Sequence, residues 1–219
     1  MSFYEELQQA TAPERNALLS VLIIGRALQG KVTLDEYVAF LTQAYHHVKH
    51  TSPLLMTCGG RVPESHEWIR VALAHYIEEE IGHQEWILSD ITACGADAEA
   101  ARHSQPNLHT ELMVAYAYDT IMRKNPCGFF GMVFVLEGTS IQLATHAAGI
   151  IKQTLVLPDN AFSYLTSHGS LDLEHIDFFE SVVNRLEADE DKQAVIHCAK
   201  VFFHLYANIF RSLDAGVAA

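Results

Sequence analysis

Two short stretches of this chain hold carboxylates and imidazoles at metal-binding spacing. In EEEIGH, residues 78–83, Glu80 stands three residues before His83. On one helix that spacing places both side chains on a shared face, where they can bind one metal or bridge two. In SHGSLDLEH, residues 167–175, Asp172 stands three before His175 and His168 stands four before Asp172. All three share one stripe if a helix begins by His168. Gly169 and Ser170 can instead mark a helix start there. Spacing alone is weak. With 27 acids in 219 residues, roughly one or two of the 13 histidines should follow an acid at that distance by chance.

Glu137 carries more weight. It sits in GMVFVLEGTSIQL, a stretch otherwise apolar on every side. A carboxylate there is expected to be buried, and an unpaired buried charge is very costly. It needs a cation, a hydrogen-bonding cluster or a raised pKa. Metal ligation is the favoured reading, with a satisfied core carboxylate as the alternative. Gly138 beside it would let a neighbour approach closely. The set is then Glu80, Glu137 and Asp172 with His83, His168 and His175. Mixed oxygen and nitrogen donors of this kind suit two iron ions, or manganese, better than a structural zinc. Three carboxylates largely neutralise two divalent cations and leave positions open for O₂ or a substrate. The same three carboxylates are the catalytic candidates. Glu79 is the fallback for Glu80, although it points about 100° away on a helix.

Other chemistry-bearing residues have plainer expectations. His46, His47 and His50 cannot all face inward on one helix, so at least one should be solvated. Tyr45 or His47 can line a substrate pocket, against ordinary packing or surface placement. His146 falls off the Glu137 face. His197 and His204 share a face and can be packed, exposed or donors behind a metal ligand. Cys127 reads as a small core residue. Glu187 to Asp191 reads as a solvated turn.

These side chains need helices to position them, and helical periodicity runs through the chain. No alternating β-branched run or Asn-Gly hairpin turn interrupts it. A first helix is expected from about Pro13 to Leu28, ended by Gly30. Thr33, with Glu36 three residues on, opens a second as a capping box. That helix weakens near Pro53 and ends at Gly59-Gly60. A third starts after Pro63, contains both Glu80 and His83, and stops at Gly95. ADAEAARHSQPN is the clearest loop. A fourth covers 110–124 and a fifth, long and apolar, 128–154. A short helix at 160–168 leads into 171–186, and 192–213 closes the chain. The expectation is a single all-α domain over 1–219, a bundle of seven to eight helices.

Composition narrows the function. A formal net charge of −13 argues against nucleic acid and anionic membranes as partners. The four cysteines are far apart with no CxxC spacing. No basic region precedes an apolar run at the N-terminus, so no signal peptide is expected. Apolar runs are too short to span a bilayer. The expectation is a cytoplasmic protein with reduced thiols.

Glu-x-x-His, then a lone Glu in an apolar helix, then His-x₃-Asp-x₂-His, resembles the haem-oxygenase-like di-metal oxidases. These iron-containing redox enzymes include the Chlamydia protein associating with death domains. They lie within the superfamily of haem oxygenase, thiaminase II (TenA) and the pyrroloquinoline-quinone synthase PqqC. The resemblance spans roughly Tyr37 to Phe210, and GHQEWILSDI shares it. It implies the haem-oxygenase-like fold, two iron ions per chain (manganese possible) and the six ligands named above. It implies O₂ and a small carboxylate-bearing or amino-acid-like molecule as reactants, and a homodimer as one assembly such proteins form. Some members place the first carboxylate seven residues before the His. That position here is Tyr76, which leaves Glu80 as the ligand and makes Tyr76 a pocket candidate.

Sister activities fit less well. Where thiaminase II has Gln-Asp-Tyr, this chain reads Gln43-Ala44-Tyr45. Pro126-Cys127 resembles its nucleophile, but the Tyr four residues later is Gly131, and its Tyr-Glu-x-x-Phe becomes Tyr206-Ala207-Asn208-Ile209-Phe210. Haem oxygenase needs a His on its first helix, and the first His here, His46, is expected on the second. A metal-free hydrolase of a small heterocycle and a non-enzymatic interaction module are the alternatives.

Overall fold

The computed structural model describes residues 1–214, and side chains throughout except at 140–142 and 167–175. It is all-α, with no strand among the described residues. Twelve helices follow in order: α1 (Phe3–Ala10), α2 (Ala12–Leu19), α3 (Leu22–Ala27), α4 (Leu34–Val48), α5 (Thr51–Arg61), α6 (Glu67–Glu80), α7 (His83–Ala93), α8 (Ala98–His103), α9 (Leu108–Arg123), α10 (Phe130–Leu155), α11 (Ser163–Val183) and α12 (Asp189–Asp214). Single 3₁₀ turns occur at Glu64–His66, Pro126–Phe129 and Asp159–Ala161.

The count exceeds the expected seven or eight because three long stretches break. The first splits between α2 and α3, where Val21 is extended. The second splits at Lys49-His50 and then runs through Gly59-Gly60 to Arg61. The third splits at Ile81-Gly82. Apolar periodicity continues across each break, so the pattern alone does not mark them. The segment expected to be a loop contains α8, whose N-cap Asp97 accepts from the backbone N–H of Ala100 at 2.9 Å. Residues 163–183 form one helix rather than two. The Thr33–Glu36 capping box forms as expected.

α10 is the central element, packed mainly on α11 and α12. Gly131 allows the α10–α12 contact. A Cβ there would lie 2.5 Å from the backbone N of Ala199 and 2.8 Å from the carbonyl of Val195. No single helix is long and apolar enough, among the described residues, to cross a membrane. Sheathing of α10 by its neighbours is what its apolar composition serves.

α4 is buried on two sides, while His50, the third histidine of the cluster, is only partly buried and bonds the Tyr118 hydroxyl at 3.2 Å. Neighbouring His46 and His47 are both buried, at 1% and 2% exposure. His46 Nε2 bonds Ser104 Oγ at 2.8 Å, and the Lys49 ammonium donates to Nδ1 at 3.2 Å. Burial, then Lys49 and His50, push the His46 pKa down to about 4. His47 turns the other way, its ring edge-on to Tyr206.

Asp90, wholly buried on α7, accepts from the backbone N–H groups of Ser163 and Tyr164, both at 2.9 Å. It thereby holds the first turn of α11, and its charge faces the positive end of that helix. Asp90→Ala should lose both bonds and leave two buried donors, costing about 2 kcal/mol. Chemical denaturation checks this. A loss below about 0.5 kcal/mol would show that solvent or another group caps α11 as well.

Candidate metal centre

α6 ends at Glu80 because Ile81 turns extended and Gly82 is left-handed, at φ 94°. A side chain disfavours that backbone, so glycine is the residue that fits. His83 then opens α7. Glu80 and His83 therefore meet across a helix break, not along one helix. His83 Nδ1 donates to Glu80 Oε2 at 3.1 Å, with the two side chains 5% and 10% exposed. Trp86 stacks on the His83 ring at 4.0 Å and fixes its plane.

Glu137 lies in the first half of α10, partly buried, with its Oε2 atom closed off from solvent as its apolar neighbours suggest. It faces a cavity of about 180 Å³ whose wall also includes Glu80, His47 and Tyr76. A Cβ on Gly138 would meet nothing within 4 Å, so Gly138 serves no close approach among the described residues. Tyr76 is 2% exposed. Burial raises its hydroxyl pKa, and Glu137, Glu79 and Glu80 raise it further, in that order. Their joint influence places the carboxylates of α6 and α10 around one phenol.

The other candidates separate. Glu79 is 35% exposed and pairs with His75 at 3.5 Å, outside the cavity wall. Tyr45 also lies outside that wall, with its ring against His46 and Lys49 above it. Tyr45 is itself buried, but two residues from His47 on α4 it faces a different side of the helix. His146, His197 and His204 are exposed. His168, Asp172 and His175 lie outside the described side chains, on the helix that Asp90 positions.

Beyond its polar end the cavity is an apolar arm between α3, α4, α10 and α12, with Ile24, Phe40, Ala147, Ile151 and Leu213 in its wall. Its outer part is bounded by Glu36, whose carboxylate takes both guanidinium nitrogens of Arg26 at 2.7 and 2.9 Å. Glu80, Glu137, His47 and Tyr76 in the wall of one largely apolar cleft make a binding site on physical grounds. Their oxygen and nitrogen donors fit iron.

The model of a family described as iron-containing redox enzymes matches residues 38–207. The chain belongs to that family. No curated protein matches its sequence. Solved structures resemble this chain along nearly its whole length. A domain of unknown function with a haem-oxygenase-like fold from Shewanella denitrificans is 24% identical, with a TM-score of 0.89, covering 98% of this chain and 93% of that one. A TenA homologue from Pseudomonas syringae pv. tomato is 9% identical at TM-score 0.82, covering 97% and 93%. Haem oxygenase-1 from Synechocystis, in complex with haem, is 11% identical at TM-score 0.78, covering 100% and 95%. The fold is the haem-oxygenase-like helical bundle.

On that shared fold, the thiaminase-like positions serve structure in this chain. Gln43 Oε1 accepts from the Asn107 N–H at 3.0 Å and from Thr110 Oγ1 at 2.8 Å, which secures the start of α9. Gly131 is filled by the backbone of α12. Cys127 is buried outside the cavity wall. His46, the first histidine, is bonded to Ser104 and is absent from that wall.

Proposed function

We propose that this chain is a non-haem di-metal oxidase or oxygenase that uses O₂ on a small carboxylate-bearing or amino-acid-like molecule. The observation that carries this reading is that Glu80, held by His83, shares the wall of one cavity with Glu137. These three would hold iron together with His168, Asp172 and His175 of α11, which the family pattern supplies. Two bound iron ions would supply reduction of O₂ and oxidation of a substrate carbon.

The chain's own residues set the conditions. Glu80 receives the Nδ1 proton of His83 and so holds the ring's tautomer, leaving Nε2 as the nitrogen suited to a metal. Trp86 restricts ring rotation. Tyr76 keeps its proton, because burial and surrounding carboxylates oppose the phenolate. It can therefore donate a hydrogen bond at the polar end. Apolar walls on α3, α10 and α12 exclude water from whatever lies beside the metals. The rival metal-free hydrolase needs a nucleophile in the cavity, and Cys127 is not in its wall.

The test is anaerobic loading with ferrous iron, metal analysis and O₂ uptake. Two irons per chain and O₂ consumption upon exposure are expected. Failure to bind any transition metal anaerobically sinks the proposal. A parallel haem titration that gives a saturable Soret shift would favour a haem enzyme instead.

A further inference from the structure

A second cluster of metal-type donors lies away from the cavity. His66 closes the 3₁₀ turn 64–66, Cys127 lies in the turn 126–129, and Asp191 stands in the first turn of α12. His66 Nε2, Cys127 Sγ and an Asp191 carboxylate oxygen all lie within 4.8 Å of one another. None of the three is in the cavity wall. Asp191 belongs to a stretch whose sequence suggests a solvated turn, yet it is buried. Glu187, Asp189 and Glu190 are exposed, as that stretch suggests.

Each converging group is held from behind. His66 Nδ1 bonds Ser65 Oγ at 2.9 Å, which aims Nε2 inward. Asn125 Nδ2 donates to Asp191 Oδ1 at 2.7 Å, leaving Oδ2 to face His66 Nε2 at 2.9 Å. The Oδ1 atom of the same Asn125 accepts the backbone N–H of Cys127 at 2.9 Å. Burial and then the neighbouring Asp191 carboxylate raise the Cys127 thiol pKa. Outer bonds of this kind orient the ligands of established metal sites. Nitrogen, sulfur and carboxylate oxygen from three separate elements form a zinc-type donor set, with one position left for water. His66, with its side chain 21% exposed, is the route from solvent.

We infer that His66, Cys127 and Asp191 form a second metal site, separate from the cavity, that takes a divalent cation of the zinc class. It requires small movements only. The 2.9 Å His66–Asp191 approach must widen slightly to admit an ion, while the bonds to Ser65 and Asn125 persist. Cys127 gives up its thiol proton on binding. The site does not depend on the oxidase reading, since the cavity donors include no thiol.

Cobalt(II) is the probe, added to the metal-stripped full chain. A thiolate-to-cobalt charge-transfer band at one equivalent, bleached by zinc, is expected. Cys127→Ala should abolish the band. His66→Gln and Asp191→Asn should each weaken cobalt binding by at least about 10-fold. His66→Gln changes a partly exposed residue, so it keeps the test valid if Cys127→Ala fails to fold. No thiolate band in folded wild-type protein overturns the site. So does unchanged affinity in both His66→Gln and Asp191→Asn. Iron content of the Cys127→Ala protein is read separately, so a lost band with iron retained counts for this site and leaves the cavity reading intact.

Discussion

Glu137→Ala should yield a folded protein that no longer retains iron. Glu137 faces the cavity, so truncation enlarges a space that already exists and leaves the helix packing in place. The change in stability should stay within about 1 kcal/mol. Metal affinity should behave differently. Loss of a residue that only supports a ligand costs 10–100-fold, and loss of a ligating carboxylate should exceed about 100-fold. Glu137→Gln keeps the volume and removes the charge, so it separates ligation from packing and should lose nearly as much. Glu79→Ala is the matching control. That side chain pairs with His75 outside the cavity wall, and its removal should leave iron content unchanged. Thermal melting, iron analysis and O₂ uptake on the three variants decide the matter. Full iron retention in Glu137→Ala would remove Glu137 from the centre.

The largest loss of stability is expected from Gly131→Ala. An added methyl would sit 2.5 Å from Ala199 N, 2.8 Å from Val195 O and 2.9 Å from Cys198 C. All three are backbone atoms, so no side-chain rotation relieves the clash. α10 and α12 must move apart along a contact that also includes Gly128, where a Cβ would lie 2.8 Å from Cys198 Sγ. Overpacking of this kind costs about 3 kcal/mol or more. For a chain of this size that lowers Tm by on the order of 10 °C. A melting curve within about 2 °C of wild type would show that the helices separate easily there. The same contact explains why a tyrosine at this position, as in the thiaminase pattern, has no room in this chain.

Much of this could be read from local rules. The Thr33–Glu36 capping box, the Asn125-Pro126 stop after α9 and the long apolar α10 follow from nearest-neighbour chemistry. Glu80, His83 and Glu137 stand out because polar side chains at those places need partners. What escaped depends on distant chain. Hydrophobic spacing continues through Ile81-Gly82, and only the left-handed Gly82 shows the break. α8 was hidden in polar composition, although Asp97 before an alanine-rich run was a readable cap. His46 and His47 are both buried because α4 has neighbours on two sides, a fact of topology. Asp191 looked like surface because its neighbours in sequence are surface. Its partners, His66 and Asn125, are more than sixty residues away.

Gly82 and Asp90 together govern how the centre can move. His83 and Asp90 ride on one short rod, α7, and Asp90 grips the backbone at Ser163 and Tyr164. A pivot of α7 therefore carries His83 and the start of α11 in phase. Glu80 stays behind on α6, across the glycine, where backbone rotation meets least resistance. A rotation about Gly82 would therefore change the Glu80–His83 gap while leaving the spacing from His83 to the root of α11 unchanged.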